Sequence, residues 1–142
     1  MLDVPDVNVW IALSEPKHSL RQRAEQYWQQ EAGDRLAFVP VTMLGLLRLL
    51  TNKTVMQGLP LETDEAWQVF QKWLAHPTVS LVQGPPAFHP AFHDWLRTGV
   101  VSAVGWTDTY VAATARSLGA RVVSFDRGFD AFDGLDRLIL RP

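Results

Sequence analysis

Three aspartates stand where short apolar runs end, in widely separated parts of the chain. Asp6 closes Met1-Leu-Asp-Val-Pro-Asp and opens Asp6-Val-Asn8-Val-Trp10. Asp108 lies in Trp106-Thr107-Asp108-Thr109-Tyr110, at the head of an alanine-rich stretch, and Asp126 ends Arg121-Val-Val-Ser-Phe-Asp126 before Arg127-Gly128-Phe129. In an open parallel sheet, ligands bind outside the carboxyl ends of the strands, so acids at several such ends converge on one crevice. Like charges held together repel, and a bound divalent cation is the simplest way to keep several carboxylates ionised side by side. The chemistry that suits this pattern is metal-dependent attack on a phosphate, with Asp6, Asp108 and Asp126 as metal-holding and catalytic groups.

Each acid also has a plain structural reading. Asp108 alone is an acid in the first turn of a helix, favoured by a few tenths of a kcal/mol to about 1 kcal/mol. Asp6 alone is a turn residue bonded to its own loop, and Asp126 beside Arg127 is a surface ion pair worth little. Three such coincidences at strand ends favour the joint reading. Two neighbours support it: Asn8 as a brace of the Asp6 loop through side-chain to backbone bonds, and Thr107 as the cap of the helix that carries Asp108. Arg48, inside an apolar helix, is assigned to pairing with an internal acid. His18, His76, His89 and His93 lack the spacing of a metal cluster; His89 and His93 are four apart, but no Glu accompanies them as in a zinc protease helix.

The elements that must position these residues alternate in type. Leu2 to Asp6 reads as a strand, Val9 to Leu13 as the start of a helix that Pro16 interrupts, and His18 to Gln30 as a helix with an apolar stripe of Leu20, Ala24, Tyr27 and Trp28. Leu36 to Val41 is a second strand, and Thr42 caps a helix to Leu50. After a connection from Asn52 to Pro60, Thr63 caps a helix with Asp64 and Glu65 in its first turn. Val79 to Val82 is a third strand, ended by Gly84-Pro85-Pro86. Pro90 opens a helix that Gly99 stops, Thr107 to Leu118 is a helix closed by Gly119, and Arg121 to Phe125 and Leu138 to Leu140 are the last strands. Strands alternating with helices imply an α/β fold with a parallel sheet. Pro5 is at odds with a central position for the first strand, because it removes a ladder donor.

A length of 142 residues suits one compact domain spanning 1–142. With 13 Lys and Arg against 15 Asp and Glu, no global basic field favours nucleic acid, so any RNA contact comes from local clusters such as Lys17-His18, Arg21 with Arg23, or Arg48 with Lys53. The absence of cysteine excludes disulfides, thiolate metal sites and cysteine nucleophiles. The start carries no basic region of a signal peptide, and the run from Val41 to Leu50 is far too short to span a bilayer, so a soluble cytoplasmic protein with no membrane partner is expected. The six tryptophans are assigned mostly to the core, with Trp10 and Trp106 beside the site motifs and able to stack on an unpaired base.

Four segments in order carry a resemblance: Asp6-Val-Asn-Val-Trp-Ile-Ala-Leu13, Val41-Thr-Met-Leu-Gly-Leu-Leu-Arg-Leu-Leu-Thr51, Trp106-Thr-Asp-Thr-Tyr-Val-Ala-Ala113 and Val123-Ser-Phe-Asp-Arg-Gly-Phe129. Each is weak alone; together they pace essentially the whole chain. The sequence resembles the PIN-domain ribonucleases, and most closely the VapC-type toxins of prokaryotic toxin–antitoxin systems. The resemblance implies a single PIN domain built as a three-layer α/β/α sandwich with a mostly parallel central sheet. It also implies a Mg²⁺ or Mn²⁺ site that cleaves single-stranded regions of RNA, homodimerisation, and neutralisation by a small cognate antitoxin. Carried over by position, Asp6 is the first strand-end acid, Asp108 the acid opening the late helix and Asp126 the acid of the last loop. Relatives commonly place Glu where this chain has Met43, and many place a second acid where it has Gly128. That leaves the acidic quartet one short, with Asp130 and Glu15 as candidates to replace it. It makes a catalytically weakened PIN domain that binds RNA or a protein partner the alternative. Phosphotransfer through an aspartyl-phosphate is a third option, disfavoured because Asn8 stands where the familiar two-aspartate motif needs an acid.

Overall fold

The computed structural model describes residues 1–85 and 87–142. Five strands form one sheet: β1 (Leu2–Pro5), β2 (Arg35–Phe38), β3 (Val79–Leu81), β4 (Arg121–Ser124) and β5 (Arg137–Ile139). Their order is β3-β2-β1-β4-β5 and every pairing is parallel. The chain thus walks from β1 outward to β3, then returns to the other side of β1 for β4. That reversal is a topological switch point, where parallel sheets open a crevice at their carboxyl edge.

Right-handed crossovers place helices on opposite faces once the direction of travel reverses. On the first face lie α1 (Val7–Ser14), α2 (Arg21–Gln26), a π-helical turn (Tyr27–Glu31), α3 (Pro40–Leu50) and α4 (Thr63–Ala75). On the second lie α5 (Phe88–Thr98), α6 (Val100–Val104), α7 (Trp106–Ser117) and a 3₁₀ turn (Arg127–Ala131). Strand side chains alternate between these layers. Leu36, Phe38, Val123 and Leu138 join the first core with Trp10, Leu46 and Phe70, whereas Val4, Ala37, Val122 and Ile139 join the second with Val111, Trp95 and Phe129. The sandwich has the three layers and parallel sheet expected.

Several boundaries differ from the sequence reading, each for a local reason. The second strand stops at Phe38, not Val41, because Pro40 starts α3 at a position that needs no amide donor. Thr42 is therefore inside the first turn, where its hydroxyl accepts from the Val39 amide and donates to the Val39 carbonyl, both at 3.0 Å. Thr63 is likewise inside α4; Glu62 precedes it and donates its amide to Glu65 Oε1 at 2.9 Å. The expected helix from His18 to Gln30 is a short α2 that widens into the π-helical turn, and α6 was not foreseen. Gly99, at φ 79°, separates α5 from α6 as a left-handed stop. Pro86, read as part of the end of the third strand, lies outside the described residues.

Pro5 does sit in the central strand. The Asp6 amide donates to the Val123 carbonyl at 2.8 Å, so by alternation the missing Pro5 donor faces β2, beyond Asp3, the last residue of β1 paired there. Trp10 is fully buried and stacks on Phe38 with ring centroids 3.9 Å apart, which rules it out as a base platform. Trp28, Trp73 and Trp95 also belong to the cores, as expected of most of the tryptophans, while Trp67 and Trp106 are exposed.

Candidate active site

Residues 116 apart in sequence meet where β1 and β4 end side by side. The Asp6 carboxylate caps α1, taking the Val7 amide at 2.8 Å, and it also accepts the Ser124 hydroxyl at 3.0 Å and the Asn8 amide at 3.3 Å. Asn8 donates to Ser124 Oγ at 3.0 Å and accepts the Phe125 amide at 3.2 Å. Ser124 Oγ in turn accepts the Asp126 amide at 2.9 Å, and Asp126 caps the 3₁₀ turn by accepting the Gly128 amide at 2.7 Å. Asp6 and Ser124 are buried, while Asp126 is exposed. The bonds lock Asp6 against rotation and leave Asp126 reaching outward from the same strand end.

Asp108 enters from the second face, in the first turn of α7, which packs across β1 and β4. Its pKa is pushed up to about 6, first by burial and then by the negative charges of Asp6 and Asp126. Asp6 is also pushed up, chiefly by burial and in part by Asp126, against the lowering effect of the Val7 and Ser124 bonds. The three carboxylates therefore share one electrostatic environment, although only Asp6 and Asp126 follow strands; the run before Asp108, read as strand-like, is helix α6. Thr107 is exposed and is not the cap: α7 begins at Trp106, and Gly105, at φ 90°, takes the cap position because an L side chain resists that conformation.

Ser124 is the member of this constellation that sequence reasoning overlooked. Its signal was present, as a polar residue in the apolar strand Val122-Val-Ser-Phe two positions before Asp126. Neither candidate for the missing acid is placed to serve. Asp130 is held by Arg137 Nε at 2.7 Å, and Glu15 follows the far end of α1, roughly 13 Å along the axis from Asp6. Arg48 is exposed and forms no ion pair among the described residues, so its assignment to an internal acid does not hold. Met43 is half-buried against the first core, in the turn of α3 beside the start of α1; a Cβ at Gly45 would meet Val7 Cγ2 at 2.9 Å.

The donor set fits a hard divalent cation: all oxygen, no sulfur, and like charges that a cation would relieve. Among the described residues no three His, Asp or Glu side chains close tightly enough to grip a bare ion. A cation that keeps several waters, as Mg²⁺ does, needs only one or two direct carboxylates.

A pH effect follows. Because Asp108 is raised from 3.8 to about 6, the metal-free folded state holds its proton more tightly than the unfolded chain does. The resulting stabilisation is complete below 3.8 and is lost as pH rises through about 6. In chelator, the melting temperature of Asp108→Asn should therefore gain on that of the parent protein as pH is raised across this window. Parallel melting curves from acid to neutral pH would refute the shared environment.

The PIN domain family pattern matches residues 4–135. The chain is 31% identical over 143 residues to Ribonuclease VapC41 of Mycobacterium tuberculosis, covering 95% of this chain and 96% of that protein. It is 31% identical over 130 residues to Ribonuclease VapC39 of the same organism, covering 85% and 86%. Its fold is similar to that of VapBC-1 from nontypeable Haemophilus influenzae (TM-score 0.72, 18% identity, 98% of each chain). It is also similar to that of Mycobacterium tuberculosis VapC20, a Sarcin-Ricin loop cleaving toxin (TM-score 0.70, 17% identity, 99% of each chain). The family match over residues 4–135 and the 31% identity along nearly the whole length show that the chain belongs to the PIN-domain family, in its VapC group.

Proposed function

We propose that the protein is a divalent-metal-dependent endoribonuclease, the toxin of a toxin–antitoxin pair, cutting single-stranded regions of RNA. The observation that carries this is the convergence of three carboxylates at the switch point, where the charges of Asp6 and Asp126 help raise Asp108 and that of Asp126 helps raise Asp6. The ribonuclease names of the 31% identical relatives support RNA as the substrate class. Asp6 and Asp108 would hold Mg²⁺ or Mn²⁺ directly or through water, and Asp126, being exposed, would orient water or hold the outer shell. The bound ion supplies an acidified water and offsets charge on the phosphate oxygens. Ser124 and Asn8 fix the Asp6 carboxylate so that one oxygen stays committed to the α1 amide while the other faces the hydroxyl. The neighbouring VapBC complexes support a small antitoxin partner; we extend the proposal to homodimerisation and a cytoplasmic location, consistent with no helix among the described residues being long and apolar enough to cross a membrane.

The test is incubation of the purified protein with single-stranded RNA in Mg²⁺, in Mn²⁺ and in chelator. Cleavage with either metal and none in chelator is expected, as is a dimer by light scattering at tens of micromolar. Intact RNA under all three conditions would sink the nuclease reading.

Met43 favours the second reading, a weakened enzyme that works by binding. A thioether contributes little to a hard cation, so metal binding in the natural protein should be weak. Met43→Glu should tighten Mg²⁺ binding and speed cleavage, and should lower the metal-free melting temperature by adding a carboxylate to the cluster. If calorimetric titration gives the same affinity for both proteins, Met43 is core packing alone and the centre is built without that position.

A further inference from the structure

A cleft of about 460 Å³ opens along the outer edge of β5, one residue from Asp126, and three guanidiniums line it: Arg127, Arg137 and Arg141. Its size falls in the range of small-ligand sites. With three guanidiniums against two carboxylates, the lining carries a small local excess of positive charge in a chain of formal charge −2. Two features of β5 build it. Side chains two apart share a face, so Arg137, Ile139 and Arg141 all point to the face where the 3₁₀ turn presents Arg127. β5 is also the edge of the sheet, and Leu140 donates its amide to Ser124 while Asp136 accepts from Val122. By alternation the main chain of Arg137 and Ile139 points away from β4, at the free edge of the sheet.

Two acids, Asp130 and Asp136, also line it. Asp130 engages Arg137 Nε at 2.7 Å, and an Arg137 Nη donates to the Leu135 carbonyl at 3.1 Å, which holds that guanidinium in place. Arg127 and Arg141 are exposed and form no ion pair among the described residues, and Arg23 anchors the Arg141 main chain through its carbonyl at 2.9 Å. From Arg137 to Arg141 an extended chain covers about 13 Å. That is a track, longer than a single anion needs, and one of its arginines, Arg127, directly follows Asp126 of the acidic centre in the chain.

Resting on the ribonuclease reading above, we propose that this cleft is a subsite for the phosphodiester backbone flanking the scissile bond. Arg127 and Arg141 contact successive phosphates as the strand leaves the acidic centre. Such contacts are sequence-independent, position the strand and make affinity fall with salt. An acidic segment of a protein partner is the competing occupant, and the test separates the two.

The experiment measures binding of a fluorescein-labelled single-stranded RNA of a dozen nucleotides to the full chain in chelator, by anisotropy, across a salt series. Proteins compared are the parent, Arg127→Gln with Arg141→Gln, the corresponding double Lys variant, and Arg35→Gln as a charge control at the opposite end of the sheet. Melting temperatures verify folding. The double Gln variant should bind about tenfold or more weakly, and its log–log salt slope should be shallower by about 1.4, two contacts at about 0.7 each for single strands. The double Lys variant should keep the slope, and Arg35→Gln should match the parent. In metal, the double Gln variant should raise KM for the same RNA with kcat little changed.

If the parent cleaves and binds RNA and the double Gln variant does both equally well, the subsite is wrong while the nuclease reading stands. If the parent neither binds nor cleaves, both fall together. If a poly-glutamate peptide binds the parent through these arginines and RNA binding is indifferent to them, the cleft belongs to an acidic partner and the proposal is overturned.

Discussion

Asp6→Asn should cost on the order of 10²–10³-fold in metal-dependent cleavage, the several kcal/mol that a metal's charge stabilisation supplies, yet leave the metal-free protein as stable as before or more so. The two halves have separate causes. Loss of activity follows from removing the charge of the most rigidly held acid in the cluster. Retained stability follows because Asn caps a helix about as well as Asp and can still accept the Val7 amide, now 2.8 Å from Asp6 Oδ1. The buried carboxylate has its pKa raised mainly by desolvation, so its charge is unfavourable in the folded state. By linkage that penalty grows as pH rises through the folded pKa, and the relative gain of the Asn form should grow with it. Cleavage assays paired with melting curves in chelator at neutral pH decide the matter. Unchanged cleavage together with a lower melting temperature would make Asp6 a structural cap and nothing more.

The largest stability effect should come from the other end of the sheet. Asp3 is fully buried, and both its oxygens are used: Oδ1 by Arg121 Nε at 2.9 Å, and Oδ2 by an Arg121 Nη at 2.9 Å, the Tyr27 hydroxyl at 2.7 Å and the Gly33 amide at 2.9 Å. The same Arg121 Nη also donates to the Glu31 carbonyl at 2.9 Å, so one carboxylate ties β1 to β4 and to the π-helical turn. Burial and the adjacent carboxylate keep the Tyr27 phenol protonated and donating. Removing one member of a buried pair costs about 3–5 kcal/mol, and because water reaches the half-buried Arg121 the loss here belongs at the low end of that range. Asp3→Ala should therefore lower the melting temperature by about 10 °C or more. Because this network sits at the amino ends of the strands, cleavage per folded molecule should persist well below the new melting temperature. Loss of cleavage in a variant that remains folded would mean that the two ends of the sheet are coupled. A shift of only a degree or two would mean that water replaces the carboxylate.

Asp3 in β1 and Asp6 at the cap of α1, three residues apart, show how far the sequence could go. Local patterning determined the alternation of strands and helices, the parallel sheet and the placement of acids at strand ends, because side-chain periodicity, proline at a helix start and glycine at a helix stop act over a few residues. The strand-end positions of Asp6 and Asp126 were legible for that reason, and so was the departure at Met43, whereas Asp108, read as the end of a strand-like run, follows helix α6 and sits in the first turn of α7. Which polar side chains meet was decided only when β4 came to lie beside β1. Nothing near Ser124 announces that its hydroxyl binds a carboxylate 118 residues away, nor does anything near Asp3 announce Arg121. Asp126 and Asp130 are the same residue type four positions apart, yet the 3₁₀ turn leaves the first at the acidic centre and hands the second to Arg137. The cleft of Arg127, Arg137 and Arg141 is likewise invisible in a chain with a net negative charge, since it exists only where an edge strand and a turn face each other. Charge and hydrogen-bonding capacity are properties of a residue, whereas neighbours across a sheet are properties of strand order.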